Sequence, residues 1–223
     1  MAISFHQRQR TTRDSLYRMS IYLSAQYFLS FFYFLSVRND LTLISSLNSG
    51  KHPPDDINVI VEIPKGSNIK YEIDIETGLL FVDRMLPSSM IYPFNYGFIP
   101  KTRESNGDPV DVFILGNDSL VPMSVIQGQP IGILLTEDQD GEDSKIIATP
   151  AEKVDATYSG FSELTDIPIH IRKKLEHFIK HHKDLEKDKY VHILRWENKH
   201  LAKKVIAEAI ERYKKITRNR IIH

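Results

Sequence analysis

The stretch at residues 106–111, NGDPVD, combines residue types and spacing that could bind a cation. Asn106, Asp108 and Asp111 place one carboxamide and two carboxylates close together in the chain. Gly107 permits a tight backbone path and Pro109 fixes its own φ, so the turn presents its oxygen atoms rigidly. Hard divalent cations such as Mg²⁺ take oxygen ligands of this kind. An ordinary acidic turn before a strand is the alternative, and the stretch alone does not decide between them.

Other polar side chains along the chain favour a site for Mg²⁺ and a polyanion. They are Glu62, Lys70, Glu72, Asp83, Arg84, Tyr92, Tyr96, Asp138, Asp143, Lys145, His182 and Lys183. Carboxylates can hold metal ions, while lysine, arginine and tyrosine can bind the phosphate oxygens that the metals leave free. Singly, each has an ordinary explanation, such as a solvated loop at 137–143 or a core histidine at 182. The sequence has no glycine-rich P-loop, which argues against a nucleotide-binding ATPase.

Short strands in the first part of the chain must position most of these residues, and two helices are expected in its last third. Turn residues separate strand-like runs at 58–63, 69–75, 79–84, 111–115, 131–136 and 145–148, a pattern typical of an antiparallel barrel or sandwich. Ile171, Leu175, Phe178, Ile179 and His182 then recur with helical spacing. After a strand-like run at 190–194, a second helix is expected to begin near residue 198. The predicted fold is therefore α+β, a β-barrel with two main helices packed against it.

Composition excludes some classes of protein. The 223 residues include 29 Lys and Arg and 29 Asp and Glu, so net charge indicates neither nucleic acid nor an acidic membrane as partner. Without the five Arg and two Asp of residues 1–42, 24 basic and 27 acidic residues remain. The chain has no cysteine, which excludes disulfides and thiolate metal sites. This fits a cytoplasmic protein without requiring one.

The first 42 residues differ from the rest. Arginines precede an uncharged apolar run at 20–37 that is rich in Tyr, Phe and Leu. Such a run resembles a signal peptide or short membrane anchor, although serines interrupt it and no small-residue cleavage site follows. A dispensable extension, or one that is not part of the working protein, is the other interpretation. We therefore predict an extension at 1–42 of uncertain role and a functional domain at 43–223.

At several separated blocks the sequence resembles the soluble family I inorganic pyrophosphatases, over roughly residues 55–213. NGDPVD matches the family signature Asp-(Ser/Gly/Asn)-Asp-Pro-x-Asp except at its first position. The blocks VEIPKGSNIKYEID, GLLFVDR, YPFNYGFIP, DGEDSKIIA and HKDLEK follow the family's order and spacing. The resemblance implies a five-stranded OB-like barrel with flanking helices, and Mg²⁺-dependent hydrolysis of pyrophosphate to two orthophosphates with several Mg²⁺ ions in each site.

The resemblance also implies a role for each matching residue. Asp111 would bridge two Mg²⁺ ions, Asp143 would bind metal with it, and Asp138 would bind a further metal that arrives with substrate. Asp108 would orient and deprotonate the nucleophilic water. The implied phosphate contacts are Lys70, Arg84, Tyr96 and Lys183, supported by Lys145 and Tyr92, and Glu62 and Glu72 would hold metals or their waters.

Two positions depart from the family pattern. Asn106 replaces the first aspartate of the signature, so its amide oxygen can coordinate a metal but brings no charge, and affinity for that Mg²⁺ should fall. His182 replaces a phosphate-contacting tyrosine. Its imidazole can donate to phosphate and would add charge if protonated, which would make binding depend on pH.

The prediction is a cytoplasmic, bacterial-type inorganic pyrophosphatase that acts on pyrophosphate and does not bind nucleic acid. By resemblance it is a homo-oligomer, a hexamer in bacterial members. The alternatives are a degenerate, weakly active paralogue, a non-catalytic OB-type module that binds nucleic acid, and a form attached to a membrane through residues 20–37.

Overall fold

The computed structural model describes residues 43–139 and 141–222. The predicted extension at 1–42, with its apolar run at 20–37, lies outside the described residues. In the described part, a short helix α1 (Leu43–Ser46) precedes eight strands and two longer helices, α2 (Ile169–His181) and α3 (Lys199–Ile222). The strands are β1 (Ile57–Ile63), β2 (Ile69–Ile73), β3 (Leu80–Met85), β4 (Asn95–Phe98), β5 (Asp111–Ile114), β6 (Val125–Asp138), β7 (Gly141–Pro150) and β8 (Val191–Asn198).

Five strands close into a ring in the order β1-β4-β5-β7-β6, and β6 pairs back onto β1. Strand β8 adds to β6 outside the ring, and β2 and β3 form a separate hairpin. This confirms the predicted α+β fold with a five-stranded barrel and two main helices. The runs at 69–75 and 79–84, however, form the hairpin and contribute no strand to the ring.

One pair in the ring, β5 with β7, is parallel, whereas the sequence predicted an antiparallel barrel. A closed ring in which every neighbour runs antiparallel needs an even number of strands, because direction must alternate around it. Five strands therefore require at least one parallel pair. In this pair Asp111 lies opposite Lys145, so the closure of the ring places two predicted site residues side by side.

Successive side chains of a strand point to opposite faces of the sheet, so the apolar residues of the strands form two main clusters. Val112 and Ile114 of β5 join one cluster, which α3 completes with its buried Ala202, Ile206 and Ala209. Phe113 joins the other cluster, which α2 completes with Leu175, Phe178 and Ile179. The predicted helical face at 171–182 thus packs on the barrel. Asn198 caps α3, its side-chain oxygen accepting the N–H groups of His200 and Leu201, close to the predicted start.

Three local predictions from the sequence were wrong or incomplete. Strand β4 was missed because Tyr96 was interpreted only as one of two phenols, with Tyr92. The run at 131–136 belongs to a longer strand, β6, with a register shift between Pro130 and Gly132. The acidic segment at 137–143, predicted as a loop, is largely the end of the β6–β7 hairpin, where Asp138 pairs with Gly141. None of the helices in the two described ranges is long and apolar enough to cross a membrane.

Substitution of Gly97 should disrupt ring closure. A Cβ at this position would lie 1.9 Å from the carbonyl oxygen of Ile60, at the pairing of β4 with β1. We expect Gly97→Ala to cost more than the roughly 1–3 kcal/mol of an ordinary overpacked site, because the clash is with backbone. Gly160→Ala is the matched control, since a Cβ there meets nothing within 4 Å. Equal urea midpoints for the two variants would contradict the expectation.

Candidate active site

One cavity of about 390 Å³ brings together every predicted site residue except Glu62. Its walls come from the β2–β3 hairpin, strands β4, β5, β6 and β7, and the end of α2. The predicted residues on its lining are Lys70, Glu72, Arg84, Tyr92, Tyr96, Asn106, Asp108, Asp111, Asp138, Asp143, Lys145, His182 and Lys183. The fold therefore gathers these side chains, while the role of each remains a prediction.

Lys145 joins two of the aspartates in the cavity. Its Nζ donates to Oδ2 of Asp111 at 2.5 Å and to Oδ1 of Asp143 at 2.6 Å. The hydroxyl of Tyr96 donates to the same Asp111 oxygen. Burial alone would lower the pKa of Lys145, but the two carboxylates hold that pKa above its usual range. A permanent positive charge therefore lies between two acids.

Two further ion-pair networks tie distant segments around the cavity. Nζ of Lys183, just after α2, lies 2.8 Å from Oδ2 of Asp138 on β6. Nε of Arg84 on β3 lies 3.0 Å from Oε1 of Glu186, and its guanidinium also pairs with Asp83. Asp83 was among the polar residues that favoured a site in the sequence, whereas Glu186 was not predicted. Its partner Arg84 lies 102 positions away, too far for sequence spacing to single it out.

The carboxylates of the cavity are held close to one another, and Asp111 and Asp143 are partly withdrawn from water. Burial raises the pKa of Asp143, and repulsion from Asp111 adds to the shift. The pKa of Asp108 is raised by the same two causes, burial first. A concentrated negative charge of this kind favours bound cations.

The donor set fits a hard divalent cation, because the cavity offers carboxylate and amide oxygens and no thiolate. Within 43–139 and 141–222, however, no three acidic or histidine side chains form a ready group of metal ligands. Lysines are paired with these carboxylates instead, Lys145 with Asp111 and Asp143, and Lys183 with Asp138. The residues that would hold a metal are thus gathered in the cavity, and ammonium groups offset part of their negative charge.

Glu62 does not line this cavity. It lines a neighbouring cavity of about 400 Å³, together with Glu72, Asp108 and Asp111. Its Oε1 accepts the backbone N–H of Ile73 at 2.8 Å. Burial raises the pKa of Glu62 to about 8. Without a cation nearby, this side chain is therefore mostly protonated at neutral pH.

The two tyrosines belong to an aromatic wall of the cavity. Tyr92 is buried, with its ring centroid 4.7 Å from that of Phe178 and 5.6 Å from that of Tyr96. The ring centroid of Tyr96 also lies 4.8 Å from that of Phe113. The rings fix the hydroxyl of Tyr96 against Asp111, so packing in the core positions a polar group of the site.

His182 is neutral, contrary to the positive charge that the sequence allowed for. Its ring stacks on Phe178 with centroids 5.0 Å apart. Nδ1 lies 2.9 Å from the carbonyl oxygen of Ile179 and 3.2 Å from that of Phe178. Burial, with Lys183 and Lys145 nearby, lowers its pKa to about 4. Because Nδ1 must donate to a carbonyl, Nε2 of this tautomer is left as an acceptor.

Glu104 is a cavity residue that the sequence reasoning missed. Its carboxylate is partly buried and accepts the Ser144 hydroxyl at 2.5 Å. Burial raises its pKa to about 7. The only sequence signal was an acidic residue two positions before the NGDPVD turn, which resembles many surface acids.

A barrel cavity in which aspartates alternate with lysine, arginine and tyrosine is suited to cations and to an anion with several oxygens. Comparison with known proteins agrees with this class. The family model described as inorganic pyrophosphatase matches residues 59–214. The inorganic pyrophosphatase of Saccharolobus solfataricus is 52% identical over 168 residues, which cover 75% of this chain and 98% of the relative. That of Agrobacterium fabrum is 50% identical, covering 77% and 97%.

Solved structures give the same result. The inorganic pyrophosphatase of Helicobacter pylori superposes with a TM-score of 0.73 at 43% identity, covering 76% of this chain and 99% of that one. The Thermus thermophilus enzyme superposes with a TM-score of 0.75 at 35% identity, covering 78% and 99%. The chain belongs to the inorganic pyrophosphatase family, which confirms the resemblance found in the sequence motifs.

The partly buried, neutral His182 should make the protein sensitive to acid. The folded-state pKa is about 4, below the ordinary value near 6.5. Between these values only the unfolded chain takes up the proton, so stability falls as pH drops through this range and this contribution levels off below about 4. We expect His182→Gln to lose less unfolding free energy than the wild type between pH 7 and 4.5, measured by urea titration. Identical losses would contradict this.

Proposed function

We propose that this chain hydrolyses inorganic pyrophosphate to two orthophosphates in a reaction that depends on Mg²⁺. The observation that carries the proposal is the single cavity in which Asp108, Asp111, Asp138 and Asp143 face lysine and arginine side chains. Membership of the inorganic pyrophosphatase family supports the substrate. The alternation of charges fits a substrate that enters as an anion together with metal ions.

Mg²⁺ would be held by Asp111, Asp138 and Asp143, with Asn106, Glu72 and Glu62 as further oxygen donors. When bound, the ions neutralise phosphate charge and lower the pKa of the attacking water. Without a metal, Lys145 pairs with Asp111 and Asp143, and Lys183 pairs with Asp138. A divalent cation must therefore compete with an ammonium group for each carboxylate. We expect the Mg²⁺ concentration that the reaction requires to depend on these lysine–aspartate pairs.

Lys70, Arg84, Lys145 and Lys183 would bind phosphate oxygens, and Tyr96 would add a hydroxyl. Each cation is held in the cavity by a carboxylate partner, such as Glu186 for Arg84. Such partners orient a long side chain before the substrate arrives. This reduces the conformational entropy that the side chain loses on binding. His182, with Nδ1 committed to its own helix, would meet the substrate through an acceptor nitrogen.

Asp108 would act as the general base. It lies at the exposed edge of the cavity, and its raised pKa makes it a stronger proton acceptor. In the reaction, the water oxygen forms a bond to one phosphorus and the bridging P–O bond breaks. One water proton passes to Asp108, and the electron pair of the broken bond remains on the departing phosphate, where lysine and arginine stabilise the charge.

Cytoplasmic location and a homo-oligomeric state, a hexamer by resemblance, complete the proposal. Cell fractionation and light scattering of the full-length chain would test these two points. Binding of nucleic acid is not part of it, because carboxylates dominate the barrel's cavity.

Loss of the cavity's acids should remove activity in a graded way. We expect Asp111→Ala to abolish Mg²⁺-dependent phosphate release, because it removes the ligand shared with Lys145 and Tyr96. Asp108→Asn should lower kcat about 10²–10⁴-fold, the usual contribution of a general base. Glu152→Gln, an exposed change outside the cavity, should keep wild-type turnover. Turnover that survives the Asp111 substitution would overturn the mechanism.

A further inference from the structure

Glu104 and Asn106 lie two residues apart on the wall of the same cavity, but only Glu104 has an ionisable side chain. Asn106 is exposed, and its Oδ1 accepts the backbone N–H of Asp108 at 3.0 Å. The amide oxygen is thus used to shape the turn, and one of its acceptor positions is already filled. Asn106 is therefore a weak substitute for the carboxylate that a metal site would use here.

Glu104, in contrast, points its carboxylate at the β7 strand that holds the other acids. Its Oε1 accepts the hydroxyl of Ser144 at 2.5 Å, and Ser144 stands between Asp143 and Lys145 in the chain. The backbone N–H of Glu104 donates to the carbonyl of Asp108 at 2.7 Å. One residue therefore links the acidic turn before β5 to the acidic end of β7.

Glu104 has no ion-pair partner of its own. Among residues 43–139 and 141–222 it forms no ion pair, and the nearby Lys145 ammonium, whose field favours the charged form of Glu104, donates its hydrogen bonds to Asp111 and Asp143. A carboxylate withdrawn from water is costly unless a cation compensates it. A divalent ion held by the nearby Asp111 and Asp143 would supply that compensation.

We propose that Glu104 supplies the negative charge that Asn106 lacks, and so sets the divalent-cation affinity of this site. The inference rests on the proposed function, which requires a metal ion bound near Asp111 and Asp143. Glu104 acts as a positioning and charge-compensating residue, through Ser144 beside Asp143 and through its own field. Removing such a supporting group typically costs 10–100-fold in metal affinity.

Mg²⁺ titration by calorimetry tests the proposal, using the full chain without substrate. We expect Glu104→Gln to weaken Mg²⁺ binding about tenfold or more. Asn106→Asp should strengthen binding, because it restores a carboxylate at the turn. In the double variant that carries both changes, Glu104→Gln should reduce the Mg²⁺ affinity much less than it does alone, because the carboxylate at position 106 supplies the charge.

Matched variants separate this role from a general loss of charge or of folding. Glu142→Gln removes the same charge from an exposed position on the neighbouring hairpin, and should bind Mg²⁺ like the wild type. Glu104→Asp keeps the charge and should retain most of the affinity. The rise in melting temperature on adding Mg²⁺ gives a second measure of binding for each variant.

The outcomes distinguish the inference from the proposed function. If the wild type binds no Mg²⁺, the proposed function fails with it. If the wild type binds and Glu104→Gln binds equally well, only the inference is overturned. An equal loss in the Glu142→Gln control, or an undiminished Glu104 effect beside Asn106→Asp, would also overturn it.

Discussion

The parallel pairing of β5 with β7 is the constraint on which the rest of the site depends. A ring of five strands cannot close with antiparallel pairs alone, and here the one parallel pair joins the two strands that carry Asp111 and Lys145. Because the pair is in register at these residues, an ammonium group lies against a carboxylate without any loop to place it. Asp143, two residues before Lys145, shares its face of the strand. The electrostatic centre of the cavity is thus a consequence of how the barrel closes.

Around this centre, the negative charge of the carboxylates is partly compensated before any metal ion binds. Two lysines pair with three aspartates, Asp111, Asp138 and Asp143, whereas burial raises the pKa of Glu62 to about 8, so that this carboxyl holds its proton more tightly than usual. Burying several acids together is tolerable only with such compensation. The same arrangement keeps the lysines and Arg84 fixed near the positions where a phosphate would lie. Stability without ligands and readiness for ligands therefore come from the same ion pairs.

Much of this could be predicted from sequence, because local patterns carry it. A few consecutive residues are enough to recognise the NGDPVD turn, the strand runs at 58–63 and 111–115, and the helical face at 171–182. The parallel pair could not be predicted, since it follows from closing the whole ring. Strand β4 was hidden by its aromatic residues, which suggested a phenol site rather than a strand. Glu104 and Glu186 were missed because their importance lies in partners about 40 and 102 positions away.

The long separation of Arg84 from Glu186, and of Asp138 from Lys183, has a consequence for the order of folding. Contacts between residues 102 and 45 positions apart close large loops, and the entropy of closure delays such contacts relative to hairpins. During synthesis from the amino terminus, Arg84 and Asp138 emerge well before the segment after α2 that pairs with them. The nascent chain consequently exposes one cation and one acid ahead of these late pairings, and dissolved ions and solvent must screen both charges until the last third of the protein arrives.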